Sequence, residues 1–358
     1  MAAMHYRRRA CHQVSVTGML PRRRNVLSLP TRPLGASGLQ ITTVGFGAWA
    51  IGGGGWQFGW GPQDDEQSVA AIRHAVGSGV NWVDTAAAYG LGHSEEIVAR
   101  ALDGVPGPQR PFIFTKAGVT WDPANPNGPI KHQVNAASVR REAEASLRRL
   151  RTERIDLYQV HWPPDDGTPV GDYWQAMAEL KAEGKVRAIG LSNHSVAQLE
   201  EAEKIAHVDS LQPPFSAIHR SAAEEIRWCA EHGTGVIVYS PMQAGLLTGA
   251  FSRERVQGLP DNDWRRSHPD FTTGLDANLA VARALEPIAE RHRVPVPAVA
   301  VAWTLAWPGV TGAIVGARRP GQVDGWLPAA PLRLTDADLG EIADAITRSG
   351  AGDGPAKP

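Results

Sequence analysis

The chain has 358 residues, of which 42% are hydrophobic and 20% charged, and a formal net charge of −1. That length holds one large α/β barrel or two smaller domains. The near-neutral balance excludes a general attraction to nucleic acid or to an anionic membrane, and no stretch reaches the ~20 apolar residues of a membrane span. Two cysteines, Cys11 and Cys229, exclude a disulfide framework and suit a reducing, cytoplasmic compartment.

Residues 1–30 carry Arg7-Arg8-Arg9 and Arg22-Arg23-Arg24 with little periodicity and read as a disordered extension. The segment between the arginines is too polar for an export signal. Residues 39–47 then read as a strand closing on glycines. A helix is expected over 66–76, where Val69, Ile72 and Val76 have helical spacing, and Gly77-Ser78-Gly79 ends it. The alternation repeats through strands at 81–85, 112–116, 155–161, 186–192, 209–212 and 235–239. Helices are expected at about 94–102, 136–150, 171–183, 195–206 and 221–232. After a long loop come helices over 276–292 and 296–306, then a strand at 312–316 and a helix at 320–326. Residues 349–358, rich in Gly, Pro and Asp, read as a disordered tail.

Eight strand–helix units with short apolar strands predict a (β/α)8 TIM barrel over residues 31–348. A doubly wound Rossmann sheet wants Gly-x-Gly-x-x-Gly at the start of its first helix. Here Gly52-Gly53-Gly54-Gly55 runs into Trp56-Gln57-Phe58-Gly59-Trp60, an aromatic loop with no helix start.

Three strand-like segments end in functional side chains: 81–85 in Asp84, 111–116 in Lys116 and 155–161 in His161, with Tyr89 in the loop after the first. In a parallel barrel those ends converge on one face. A phenol with an ordinary pKa of about 10 is a poor acid, and a buried ammonium beside it lowers that value. Asp84 can hold the ammonium charged, and His161 can hydrogen-bond both the phenol and a substrate oxygen. Such a set suits carbonyl reduction, in which an oxygen becomes negative as hydride reaches carbon. No side chain donates hydride, so a cofactor must. Each residue alone has a blander reading: Asp84 as a cap, Lys116 as a loop cation, Tyr89 as a turn aromatic, His161 as a satisfied imidazole. Their convergence favours a site. No metal is expected, because Glu231 and His232 are adjacent on a helix and cannot share a face.

The segment Val83-Asp84-Thr85-Ala86-Ala87-Ala88-Tyr89-Gly90-Leu91-Gly92-His93-Ser94-Glu95-Glu96, with Ser146-Leu147-Arg148-Arg149-Leu150 and Ile155-Asp156-Leu157-Tyr158-Gln159-Val160-His161, resembles the signatures of the aldo-keto reductases, and Gly316-Ala317-Arg318-Arg319-Pro320-Gly321-Gln322 resembles the form found in their general-stress-type members. The resemblance spans residues 31–347. It implies a (β/α)8 barrel with an N-terminal strand cap and extra helices, and metal-free, NAD(P)H-dependent carbonyl reduction. Tyr89 is then the proton donor, tuned by Lys116 and Asp84, and His161 orients the carbonyl. The resemblance also implies that Gly47, Ala48, Trp49, Asp84, Ser192, Asn193 and Gln212 surround the nicotinamide, with Tyr239 stacking on it. Ser240, Pro241 and Met242, which follow Tyr239 after the seventh strand, are implied as cofactor contacts with it; Gly245 and Leu246 belong to the loop over the pyrophosphate; Gly316, Arg318 and Gln322 belong to the adenosine end.

Arg318, placed to meet a ribose 2′-phosphate, favours NADPH over NADH. The chain departs from many relatives at Ala250, where they carry a basic residue, and at Gly325-Trp326, where they carry Glu-Asn. Trp56 and Trp162 are candidates either to line the substrate pocket or to pack on the rim. The expected partner is a small carbonyl or alcohol, with no nucleic acid and no membrane. Two alternatives remain at this stage: a sugar or polyol dehydrogenase working in the oxidative direction, and an NADP-binding sensor resembling potassium-channel β-subunits. Nothing in the sequence speaks to oligomeric state.

Overall fold

In the computed structural model, residues 28–358 are described, except Gln57 and Asn262. The extension expected over 1–30 therefore lies almost wholly outside the described residues, as does Cys11. The chain starts with β1 (Thr31–Pro33) and β2 (Gln40–Thr42), an antiparallel hairpin, followed by β3 (Val44–Gly47). The strand expected over 39–47 is thus two strands broken at Thr43. Its first half pairs back on 31–33, and only its second half enters the barrel.

Next come α1 (Asp65–Gly77), β4 (Trp82–Asp84), α2 (His93–Ala101) and β5 (Phe112–Ala117). A small antiparallel pair, β6 (Val119–Thr120) and β7 (Lys131–His132), precedes α3 (Ala136–Leu150). The alternation continues through β8 (Ile155–Val160), α4 (Val170–Ala182), β9 (Val186–Ser192), α5 (Val196–Glu203), β10 (Ser210–Gln212), α6 (Ala223–His232) and β11 (Gly235–Val238). The last part holds α7 (Arg253–Gln257), α8 (Leu275–Ala284), α9 (Glu286–His292), α10 (Val296–Ala306), β12 (Gly312–Gly316), α11 (Pro320–Trp326) and α12 (Asp336–Ser349).

Strands β3, β4, β5, β8, β9, β10, β11 and β12 pair in parallel in that order, and β12 returns to β3 to close the barrel. Local chemistry accounts for the helix limits. Asn135 and Ser138 form a capping box at the start of α3, and Thr335 and Asp338 form one at α12. The single helix expected over 276–292 is broken at Leu285, because Pro287 has no N–H to give and its ring crowds the preceding turn. Helix α12 is an addition to the sequence reading.

Inside the barrel, Trp82, Phe114, Leu157, Ala188, Ile237 and Ile314 pack on Leu34, Leu39 and Ile41 of the hairpin, which plugs the N-terminal mouth. The Trp82 indole donates to Thr42 O at 2.8 Å. Gly45 faces that indole, and a Cβ there would overlap it.

The tail, expected to be disordered over 349–358, is instead held to the barrel. Ala351 is buried, and the buried Arg220 guanidinium donates to the carbonyls of Ala217, Ala351, Gly352, Gly354 and Pro355. A planar fork of five N–H groups suits such a ring of carbonyls. Among the described residues, no helix is long and apolar enough to cross a membrane.

Candidate active site

Two residues above the apolar floor, the same inward register of the strands turns polar. Asp84 stands above Trp82, Lys116 above Phe114 and Gln159 above Leu157, while Gln212 enters from β10. The Lys116 side chain is fully enclosed. Its three N–H bonds have three acceptors: Asp84 Oδ1 at 2.5 Å, Thr85 O at 2.9 Å and the Tyr89 hydroxyl at 3.4 Å. Behind the same strand, Thr115 donates to the buried Glu95 carboxylate at 2.6 Å, and Arg149 closes that pair at 2.5 Å.

Tyr89 begins a tight turn whose next two residues, Gly90 and Leu91, have positive φ. The Gly52 backbone lies directly against Gly90, where a Cβ would collide with Gly52 O. This close approach explains why a glycine run precedes the aromatic loop: it lets the loop after β3 lie on the Tyr89 turn. Trp56 is buried there, its ring 6.3 Å from that of Tyr89 and its indole N–H on Gly53 O. The edge of His161 meets the Tyr89 ring at 5.6 Å, and the His161 amide donates to Ala117 O. Trp162, which is exposed, stacks on His132 at 5.4 Å.

The expectation that Lys116 makes the phenol acidic is corrected by this geometry. Burial, and then the Asp84 carboxylate, push the Tyr89 phenol well above its ordinary value. The ammonium does not reverse this, because its charge is matched by Asp84 at closer range. Burial lowers the Lys116 ammonium and raises the Asp84 carboxyl, and each partner opposes the other's shift. Burial, then Lys116 and His132, hold the His161 imidazole well below its ordinary value, so it is neutral near pH 7. A hydrogen bond from His161 to the phenol, also expected, is not among the contacts of the described residues; the two rings meet edge to face.

A second network adjoins the first. Gln212 Nε2 donates to Asp84 Oδ2 at 3.0 Å and to Gln159 Oε1 at 3.2 Å. Ser192 Oγ donates to Gln212 O at 2.8 Å. Asn193, at positive φ, donates through Nδ2 to His161 O and Ser192 Oγ and accepts from the Tyr239 hydroxyl at 2.9 Å. Gly47 pairs with Asp84 in the β3–β4 register, and the Ala48 amide donates to Asp84 O. Asp84, Tyr89, Lys116, His161, Ser192, Asn193, Gln212 and Tyr239 are thus one connected group at the C-terminal mouth.

Among the described residues, no side-chain hydrogen bond or ring contact joins the remaining expected residues to that group. Ser240, Pro241 and Met242 lead into a turn with positive φ at Ser240, Gln243 and Ala244, and Gly245 N returns to Met242 O. Leu246 is a core side chain. Gly316 pairs with Gly47. Arg318 Nε donates to Gln63 Oε1 at 2.6 Å, and Gln322 Oε1 accepts from Arg318 N at 2.7 Å. The arginines near Ala250 are occupied: Arg253 pairs with Asp276, and Arg255 donates to Ala250 O.

Sequence reasoning missed four participants. Gln159 carried a signal, a polar residue in an otherwise apolar inward register. Gln63, Trp264 and Arg265 carried none. Trp264 reaches Trp49 and Trp60 at 6.2 and 6.4 Å, and the Arg265 guanidinium lies 4.8 Å over the Trp60 ring, so the long loop after β11 is fastened to the loop after β3.

Residues 44–347 match the model of the aldo/keto reductase family. Aldo-keto reductase YhdN of Bacillus subtilis (strain 168) is 35% identical over 309 residues, covering 86% of this chain and 90% of its own length. The NADH-specific methylglyoxal reductase of Escherichia coli (strain K12) is 33% identical over 331 residues, covering 88% and 99%. Among solved structures, the glycerol dehydrogenase AKR11B4 from Gluconobacter oxydans superimposes with a TM-score of 0.81 at 33% identity, over 94% of this chain and 99% of that one.

Proposed function

The chain belongs to the aldo/keto reductase family and is an oxidoreductase, and from that premise we propose that it reduces aldehydes and ketones to alcohols with NADPH, with Tyr89 as the proton donor. The observation that carries this reading is the enclosed Lys116 ammonium, bonded to Asp84 and standing 3.4 Å from the Tyr89 oxygen. Because burial holds the phenol protonated at rest, it is charged with a proton for the reductive direction. As the carbonyl carbon is reduced, the phenol passes that proton to the carbonyl oxygen. Lys116, whose N–H already points at the Tyr89 oxygen, then donates to the phenolate left behind. Neutral His161 orients the carbonyl oxygen by a hydrogen bond.

The donor set fits a nicotinamide cofactor. Ser192, Asn193 and Gln212 gather hydroxyl and amide groups of the kind a carboxamide needs, the Tyr239 ring lies beside them, and Arg318 offers a guanidinium of the kind a 2′-phosphate needs. When bound, that cofactor supplies the hydride. Trp56, Phe58 and Trp162 give the mouth an aromatic lining for the substrate. A second reading, oxidation of a small polyol, is favoured by the likeness to the glycerol dehydrogenase. Both directions use the same residues, since Tyr89 as phenolate would take the proton back.

Fluorescence titration with NADPH and NADH, followed by steady-state rates on aldehyde and polyol panels, tests the reading. We expect NADPH to bind more tightly, and Arg318→Met to weaken NADPH about tenfold while leaving NADH unchanged. Tighter binding of NADH, as the name of the Escherichia coli relative describes for that protein, would overturn the choice of cofactor. Turnover of polyols alone would overturn the direction.

A further inference from the structure

Gln159 takes no part in the proton transfer described above, yet it lies at the centre of the polar layer. It is fully buried, one layer above Leu157, opposite Lys116 on one side and Gly190 on the other. A Cβ at Gly190 would lie 3.1 Å from its Cγ, so the neighbouring strand leaves room for it. Both ends of its amide are engaged. Nε2 points to Asp84 Oδ2 at 3.5 Å, and Oε1 accepts from Gln212 Nε2 at 3.2 Å.

The consequence falls on Gln212. An amide nitrogen has two protons, and here one goes to Asp84 Oδ2 at 3.0 Å and the other to Gln159 Oε1. Turned over, Gln212 would set its oxygen against a carboxylate and against a second amide oxygen, three acceptors with no proton among them. Asp84 is itself held as an acceptor by Lys116. Gln212 Oε1 is therefore left pointing away from both partners, and it has no hydrogen bond among the described residues.

We propose that Gln159 is a positioning residue for the cofactor: with Asp84 it locks the amide of Gln212, so that Gln212 Oε1 is always presented as an acceptor to the N–H2 of a nicotinamide carboxamide. This rests on the reading that Ser192, Asn193 and Gln212 hold that carboxamide. Gln159 thereby joins the proton-donating group and the carboxamide clamp through one carboxylate oxygen, Asp84 Oδ2.

The test compares equilibrium binding of NADPH with that of its reduced 3-acetylpyridine analogue, in which a methyl replaces the carboxamide nitrogen and cannot donate. The wild-type protein should prefer NADPH by roughly tenfold, the size of one hydrogen bond whose partner is otherwise left unpaired. Gln159→Met should remove most of that preference by weakening NADPH and leaving the analogue unchanged. Gln212→Met should do the same, and the double variant should add nothing further, because both act on one contact. Gln159→Glu keeps the shape. Beside the Asp84 carboxylate its acid stays protonated, donating to Asp84 and accepting from Gln212, so the preference should return.

Equal weakening of both cofactors by Gln159→Met, or an unchanged preference, would overturn the proposal and leave Gln159 a space-filling residue. An unchanged preference in Gln212→Met would instead remove the carboxamide clamp on which the proposal stands. Should Gln159→Met fail to fold, Gln159→Leu, which puts in the polar layer the side chain that Leu157 carries one layer below and likewise offers Gln212 no acceptor, takes its place with the same expected and overturning results.

Discussion

The lower and upper layers of the barrel interior are built from the same strands two residues apart, and they do opposite things. Below, Trp82, Phe114, Leu157 and Ile237 fill the barrel against the hairpin with apolar volume. Above, Asp84, Lys116, Gln159 and Gln212 bury a charged pair and two amides in an equally closed space. Burying apolar area stabilises a fold by about 25 cal/mol per Å². Burying an ion pair usually does not, because desolvation of both ions offsets their attraction. The upper layer is therefore tolerated at the expense of stability supplied by the lower, and its worth lies in chemistry. The contrast also explains why the polar layer has so few unpaired atoms: a half-satisfied network there is destabilising.

The contrast can be broken at several points. The largest effect is expected from Tyr89→Phe. Carbonyl reduction should fall roughly 10²–10⁴-fold, the usual contribution of a general acid, with NADPH affinity and denaturation midpoint nearly unchanged. A variant with near-normal turnover refutes Tyr89 as donor.

Next come stability changes of similar size in the two layers that differ in how they can be repaired. Lys116→Met leaves Asp84 buried without its ion and should cost about 3–5 kcal/mol in denaturant unfolding. Adding Asp84→Leu should recover most of that loss while the protein stays inactive. Trp82→Ala, in the lower layer, should cost about 3–5 kcal/mol through lost contact and cavity, with the remaining folded fraction active. If the double variant is no more stable than Lys116→Met alone, the upper layer is a source of stability after all, and the comparison fails.

A smaller effect sharpens it from outside the barrel. Glu142 on α3 accepts from the Gly118 amide at 2.9 Å, just past the end of β5, and its other oxygen has no partner among the described residues. Burial raises its pKa from 4.5 to about 7. Between those values the folded state binds more protons than the unfolded chain, so this group's contribution to stability is full below about pH 4.5 and lost as pH rises through 7. Relative to Glu142→Gln, the wild-type protein should lose on the order of 3 kcal/mol across that window. A difference between the two proteins that is flat with pH would show the carboxyl to be ionised throughout.

Much of the barrel was legible in the sequence because each strand declares itself locally. A short apolar run ends in a turn, and the helices from α1 to α6 run eight to fifteen residues, some of them, such as α1 and α3, with a side-chain cap at the start. Where the reading slipped, a non-local contact or a single proline decided the outcome. Residues 40–42 left the strand because 31–33 offered them an antiparallel partner, and Pro287 split a helix whose periodicity ran on past it. The tail was misread because its composition shows no core, whereas the stabilising group, Arg220, lies more than 130 residues away. In the candidate site, Asp84, Lys116 and His161 were readable as strand ends, and Gln159 could have been read from its place in the inward register. Trp264, Arg265 and Gln63 sit in irregular loops, where no period says which way a side chain faces.

By itself, then, the sequence determined the alternation of the eight barrel strands with their helices, and that an acid, an amine, an imidazole and a phenol would share one rim. Periodicity and chain direction are local properties, and they suffice for that. Only the tertiary structure decided the sign of the phenol's shift, the orientation of the Gln212 amide and the fastening of the two loops. Those depend on how deeply a group is buried and on which charge stands nearer to it, quantities that exist only once residues distant in sequence have been brought within a few ångströms.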